Sequence, residues 1–67
     1  MEINVTAVRL AMLDKGMSVS RLAKAARISH QTAFRFASKG GNGSPETFYK
    51  IGQALGVKPS SLALIHQ

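Results

Sequence analysis

His30, Gln31, Thr32 and Arg35 lie close together in the chain and, on a helix, point away from its apolar stripe with groups that match the edges of DNA bases. Gln31 can bridge N6 and N7 of an adenine, Arg35 can fork onto O6 and N7 of a guanine, and Thr32 can meet a thymine methyl or a phosphate. His30 fits less simply. A charged imidazole at a helix N-terminus opposes the macrodipole, so a neutral ring making one hydrogen bond is the easier picture. The plainer alternative for His30 and Gln31 is a solvated helix face. Metal binding at His30 would need convergent ligands, and the other histidine, His66, is far along the chain.

Affinity for nucleic acid comes largely from phosphates, which Lys, Arg, hydroxyls and free backbone N–H groups contact. Ser18, Ser20 and Arg21 supply such groups before the base-reading segment, Arg27 and Ser29 at its corner, and Lys39 beyond it. Asn42 and the amides of Gly40, Gly41 and Gly43 add a stretch that can approach a phosphate closely, because glycine carries no β-carbon. The alternative for these glycines is a merely flexible turn. Lys24 and Lys50 read as solvated face residues. Phe34 either sits beside the base-reading side chains, against thymine methyls, or rotates inward with Phe36.

The elements that must position these groups are short helices. Leu22, Ala23 and Ala26 recur at helical spacing in one, and Ala33 with Phe36 in the next. Ser18 caps the first of this pair, which runs from Ser18 or Val19 to Ala26; Ser29 caps the second, which reaches about Ala37. An earlier helix starts near Asn4 or Thr6 and runs to Lys15, where Gly16 ends it. Its stripe is Val5, Val8 and Met12. Leu10 and Leu13 form a second apolar edge that either faces another molecule or, the preferred reading, packs under the C-terminal helix. Residues 1–6 alternate like a strand, but one so short and unpaired is expected to fray. Ser44-Pro45 opens a fourth helix with Phe48, Ile51 and Leu55 inward and Gly56 at its end. Pro59 opens a fifth, from which Leu62 and Ile65 close the core.

On these residues, VSRLAKAARISHQTAFRFAS from Val19 to Ser38 resembles the helix-turn-helix of the lambda repressor/Cro-like (Xre) family. Small Ala23 stands where that family packs its two helices, Ile28 at the apolar position of the turn, and SPETFYKIGQALGV from Ser44 to Val57 resembles its fourth helix. The likeness covers roughly residues 5 to 65. It implies an all-α, compact five-helix lambda-repressor-like fold with helices two and three as the DNA-binding pair. It also implies a dimer on a palindromic site, with half-sites about one helical turn apart and Val57, Pro59, Leu62 and Leu64 near the two-fold axis. Some positions depart from the family. Val19 replaces a common glutamine, Arg27 a common left-handed glycine, and Gly52 a usual alanine, while the Gly40 to Gly43 turn is richer in glycine.

The 67 residues allow one domain, 1–67, and carry a net charge of +6 from nine Lys or Arg against Glu2, Asp14 and Glu46. A sequence pI near 10.6 favours a polyanionic partner. One Asp, two Glu, two separated His and no Cys cannot readily assemble an acid–base pair or metal site, so no enzyme, cofactor or metal is expected. Glu2 replaces the basic flank of a signal peptide, and no apolar run suffices for a membrane span. A cytoplasmic, nucleoid-associated protein of a bacterium or phage is therefore expected. The leading expectation is a sequence-specific, double-stranded-DNA-binding transcriptional regulator, a repressor acting as a homodimer through the major groove. The alternative is an antitoxin-like or phage-encoded module whose main partner is another protein; a steep salt dependence of DNA binding separates the two.

Overall fold

Side-chain caps decide where the helices begin in the computed structural model, which describes residues 1–64. Asn4 Oδ1 accepts from the Ala7 amide at 3.1 Å, and α1 follows over Val5–Lys15. Ser18 Oγ accepts from Arg21 N–H at the start of α2, Val19–Ala26. Ser29 does the same for Thr32 in α3, His30–Ser38, and Ser44 for Thr47 in α4, Pro45–Leu55. Each hydroxyl or amide oxygen satisfies an N–H that the first turn leaves without an intrahelical acceptor. Gly16 and Gly56 end α1 and α4 at φ 61° and 70°.

The expected fifth helix is instead a single 3₁₀ turn, Pro59–Leu62. Lys58 offers it no side-chain cap, and Ala63 is already extended at φ −86°, ψ 140°. The reason is a competing partner: Leu64 N–H donates to Glu2 O at 2.8 Å, and Asn4 N–H to Leu62 O at 2.7 Å. Ile65, which was expected to help close the core, lies outside the described residues, as does His66.

The N-terminal segment does not fray. Ile3 N–H donates to Gly41 O at 2.9 Å and Gly43 N–H to Met1 O at 2.8 Å. Residues 1–3 thus pair antiparallel with the 41–43 loop on one side and with the 62–64 segment on the other, through bridges Glu2 to Asn42 and Ile3 to Ala63. Ile3 is buried with the core. The period-two pattern of the opening residues was a genuine extended segment whose partners are remote in sequence.

Val8 and Met12 of α1, Leu22 of α2, Phe36 of α3, Phe48, Ile51 and Leu55 of α4, and Leu62 form one core. Phe36 and Phe48 lie at its centre, ring centroids 6.3 Å apart and tilted by 54°. Ala23, Ala26, Ala33 and Ala37 are buried with them; their small side chains let α2 and α3 approach closely. Gly52 has a similar role: a β-carbon there would lie 2.9 Å from Pro59 Cγ and 3.0 Å from its backbone. Its place in α4 reflects this contact with the 3₁₀ turn. Leu10 and Leu13 do not pack under the C-terminal segment. They remain 57 % and 75 % exposed, because Val8, Ala11 and Met12 already occupy the inner face of α1.

Candidate nucleic-acid interface

The corner between α2 and α3 fixes how α3 is presented. Arg27 adopts the left-handed conformation, φ 57° and ψ 46°, and its N–H closes α2 onto the carbonyls of Ala23 and Lys24. Ile28 N–H follows onto Ala23 O at 3.0 Å while its side chain packs against the core. A non-glycine residue in this region costs about 1 kcal/mol, and Arg27 is the sole such residue among those described. Its side chain is exposed on the outside of the corner.

Because Ala33, Phe36 and Ala37 turn inward, α3 presents His30, Gln31, Phe34, Arg35 and Ser38 outward. Thr32 is half-buried, and its hydroxyl accepts from Ser29 Oγ at 2.8 Å, so both residues belong to the cap of α3. Arg35 arches over Phe36, with its guanidinium carbon 4.8 Å from the ring centroid, and Nη2 donates to Asn42 O at 3.2 Å. A guanidinium has five N–H donors. This tether uses one and leaves an acceptor-seeking edge, with the side chain's swing restricted by the ring beneath it.

The phosphate-contact candidates surround this helix by sequence and exposure. Ser18, Ser20 and Arg21 are exposed at the first turn of α2, Ser29 at the cap of α3, and Lys39 and Asn42 beyond it. The glycine loop is more structured than a flexible turn. Gly40 N–H donates to Arg35 O at 2.7 Å and Gly43 N–H to Met1 O, so these two amides are not free for a phosphate as the sequence suggested. Those of Gly41 and Asn42 donate to no described residue. Gly43 also fits beneath the aromatic pair, since a β-carbon there would fall 2.7 Å from Phe36 Cζ. Lys50 pairs with Glu46 at 3.1 Å, as a solvated helix face does.

Phe34 does not rotate inward with Phe36; it stands outward on α3 with His30, Gln31 and Arg35. It is 48 % exposed and lines a groove with Leu13, Met17 and Val19, a surface that sequence reasoning missed because Leu13 was expected to be covered. Leu62, expected both to close the core and to lie at a dimer contact, is 1 % exposed and serves only the protomer's own core. The 3₁₀ turn rotates it inward. Val57 and Pro59 are half-buried, Pro59 against Gly52, and Leu64 is 39 % exposed.

Among the described residues, no group of His, Cys, Asp and Glu is arranged to hold a metal ion. No described helix is long and apolar enough to cross a membrane. A family model described as helix-turn-helix matches residues 8–62, which takes in all four helices from Val8 onward and the 3₁₀ turn. No curated protein and no solved structure matches the chain.

Proposed function

The chain belongs to the helix-turn-helix family, of the lambda repressor-like (Xre) type, and from that premise we propose that it is a repressor that binds a palindromic operator as a homodimer, with α3 in the major groove. The family is one of DNA-binding transcriptional regulators rather than of enzymes. One observation carries the finer reading. The outer face of α3 is exposed and polar, with His30, Gln31 and Arg35 standing clear of the inward stripe, in a chain of net charge +6.

In this reading Gln31 and Arg35 read base edges, with His30 and Thr32 at the groove margin. The phosphate set is Ser18, Ser20, Arg21, Arg27, Ser29, Lys39 and Asn42, helped by the Gly41 and Asn42 amides. The tether of Arg35 to Asn42 O supports a shared role, because it joins a base-reading side chain to a loop suited to phosphate. One small domain reads few base pairs, so two copies on adjacent half-sites are needed for useful specificity. Leu64 with the exposed edges of Val57 and Pro59 is the surface proposed for their contact.

Selection of bound sites from a random duplex pool tests the reading. Recovery of an inverted repeat whose half-sites are about one helical turn apart, with affinity falling steeply in salt, is the expected result. A pool that stays random after repeated selection would overturn the sequence-specific assignment, and recovery of isolated half-sites would overturn the dimer.

A further inference from the structure

Two grooves of about 430 Å³ each adjoin at Met17, which lines both. The first is apolar, lined by Met12, Leu13, Val19 and Phe34, with Arg9 its charged residue. The second is cationic: Lys15, Arg21 and Lys24 line it, and no carboxylate does. Leu13 and Phe34 are 75 % and 48 % exposed, and Leu10, one turn earlier on α1, is 57 % exposed. Apolar side chains left this open add little to the fold; grouped beside a charged rim, they have the composition of a binding surface.

We propose that this shelf docks an acidic amphipathic helix of a protein partner, its apolar face against Leu13 and Phe34 and its carboxylates against Lys15, Arg21 and Lys24. The combination of an apolar trough with a flanking cationic groove sets the occupant's chemistry: helical anchors recurring at i, i+3, i+4 and i+7 fill the trough, and opposite charge alongside fixes orientation and speeds encounter. A second copy of the chain does not meet this requirement. It has three acidic residues, Glu2, Asp14 and Glu46, on separate elements, and Glu46 is already paired with Lys50. Ser18 lines the apolar groove and Arg21 the cationic one. Both also belong to the proposed phosphate set, so partner and DNA exclude each other. The docking goes beyond the DNA-binding reading; only this competition rests on it.

The probe is a synthetic helix-forming peptide with leucines at i, i+3, i+4 and i+7 and glutamates on the flanking positions, titrated into the ¹⁵N-labelled full chain. Amide shift changes centred on Leu13, Met17 and Phe34 are expected. Affinity should fall at least about tenfold for Leu13→Glu and for Lys24→Glu, both at exposed positions, with their thermal midpoints unchanged. Phe34→Ser provides a second apolar variant should Leu13→Glu alter the fold. A peptide with lysine for glutamate and one with serine for leucine should both fail to bind. Equal binding of the serine peptide, shifts mapping elsewhere, or no shifts would overturn the proposal. So would random duplex DNA that perturbs Leu13 and Phe34 as strongly as the peptide does, since the shelf would then be a nucleic-acid surface. Peptide binding at the shelf without displacement of operator DNA would instead count against the phosphate roles of Ser18 and Arg21 and leave the docking intact.

Discussion

Replacing Arg27 by glycine should make the protein more stable and a poorer DNA binder at once. Arg27 is held at φ 57° and ψ 46°, where a β-carbon costs about 1–2 kcal/mol. Glycine removes that cost but gives the unfolded chain more freedom, an offset of about 0.4–1 kcal/mol. Little else is lost on the folded side. The exposed side chain has no ion pair or hydrogen bond among the described residues, and the bonds from the residue 27 N–H to Ala23 and Lys24 O are backbone bonds that glycine keeps. The net gain is about 0.5–1 kcal/mol, a rise in Tm of roughly 2–8 °C for a domain of this size. On DNA the same change removes a cation at the corner of the binding pair. Affinity should fall for all duplexes alike, and the slope of log K against log salt should shrink by about one unit. Urea unfolding with an unchanged m-value measures the first effect, and fluorescence anisotropy across a salt series the second. Arg27→Lys, which keeps both the charge and the strained backbone, should match the wild type in each. A lower midpoint for Arg27→Gly would refute the strain argument, and an unchanged salt slope would move Arg27 away from the phosphates.

Gln31→Ala and Arg35→Ala should each cost roughly 1–3 kcal/mol on the selected site while weak binding to random duplex survives the Gln31 change; gel-shift titrations on both duplexes check this, and an unaltered site preference would remove α3 from base reading. Gly52→Ala should destabilise by about 1–2 kcal/mol in urea, because its β-carbon would lie 2.9 Å from Pro59 Cγ and overpacking outweighs the gain in helix propensity. A more stable variant would mean that the 3₁₀ turn shifts without cost. Leu64→Glu should reduce cooperative binding to a full inverted repeat and spare half-site affinity; equal loss on both would indicate misfolding, and loss on neither would move the interface elsewhere.

What the sequence made legible was local. Asn4, Ser18, Ser29 and Ser44 mark helix starts because a cap forms within three residues of itself, and each one caps in the structure. The inward stripes of α2, α3 and α4 follow from spacing alone, and together with Ile28 and the ALGV segment they sufficed to indicate the family. What escaped depends on partners remote in the chain. Nothing near Ile3 announces that Gly41 and Ala63 flank it. Gly52 reads as a defect until Pro59 is seen against it, and Leu13 stays exposed because Val8, Ala11 and Met12 already fill the inner face of α1. At the site, residue types were legible and availability was not: the sequence could suggest four loop amides for a phosphate, but two are already donors within the fold.

The pairing of residues 1–3 with both the 41–43 loop and the 62–64 segment gives the molecule a particular order of assembly. The four helices can form from contacts near in sequence, whereas this pairing must close most of the chain into a loop, so it belongs among the later events of folding. By the same logic it is an early place to open. Fluctuations that release Ile3 would free Gly41 O and the Gly43 amide together, and would loosen the turn to which Arg35 is tethered. In native-state hydrogen exchange, the amides of Ile3, Gly43 and Leu64 should therefore exchange as one cooperative unit, at a lower free energy than those of Ala33 or Ile51. Met1 and Ile3 grip the glycine loop from one side and Arg35 from the other, so the placement of that guanidinium is set by how seldom the N-terminal pairing comes apart.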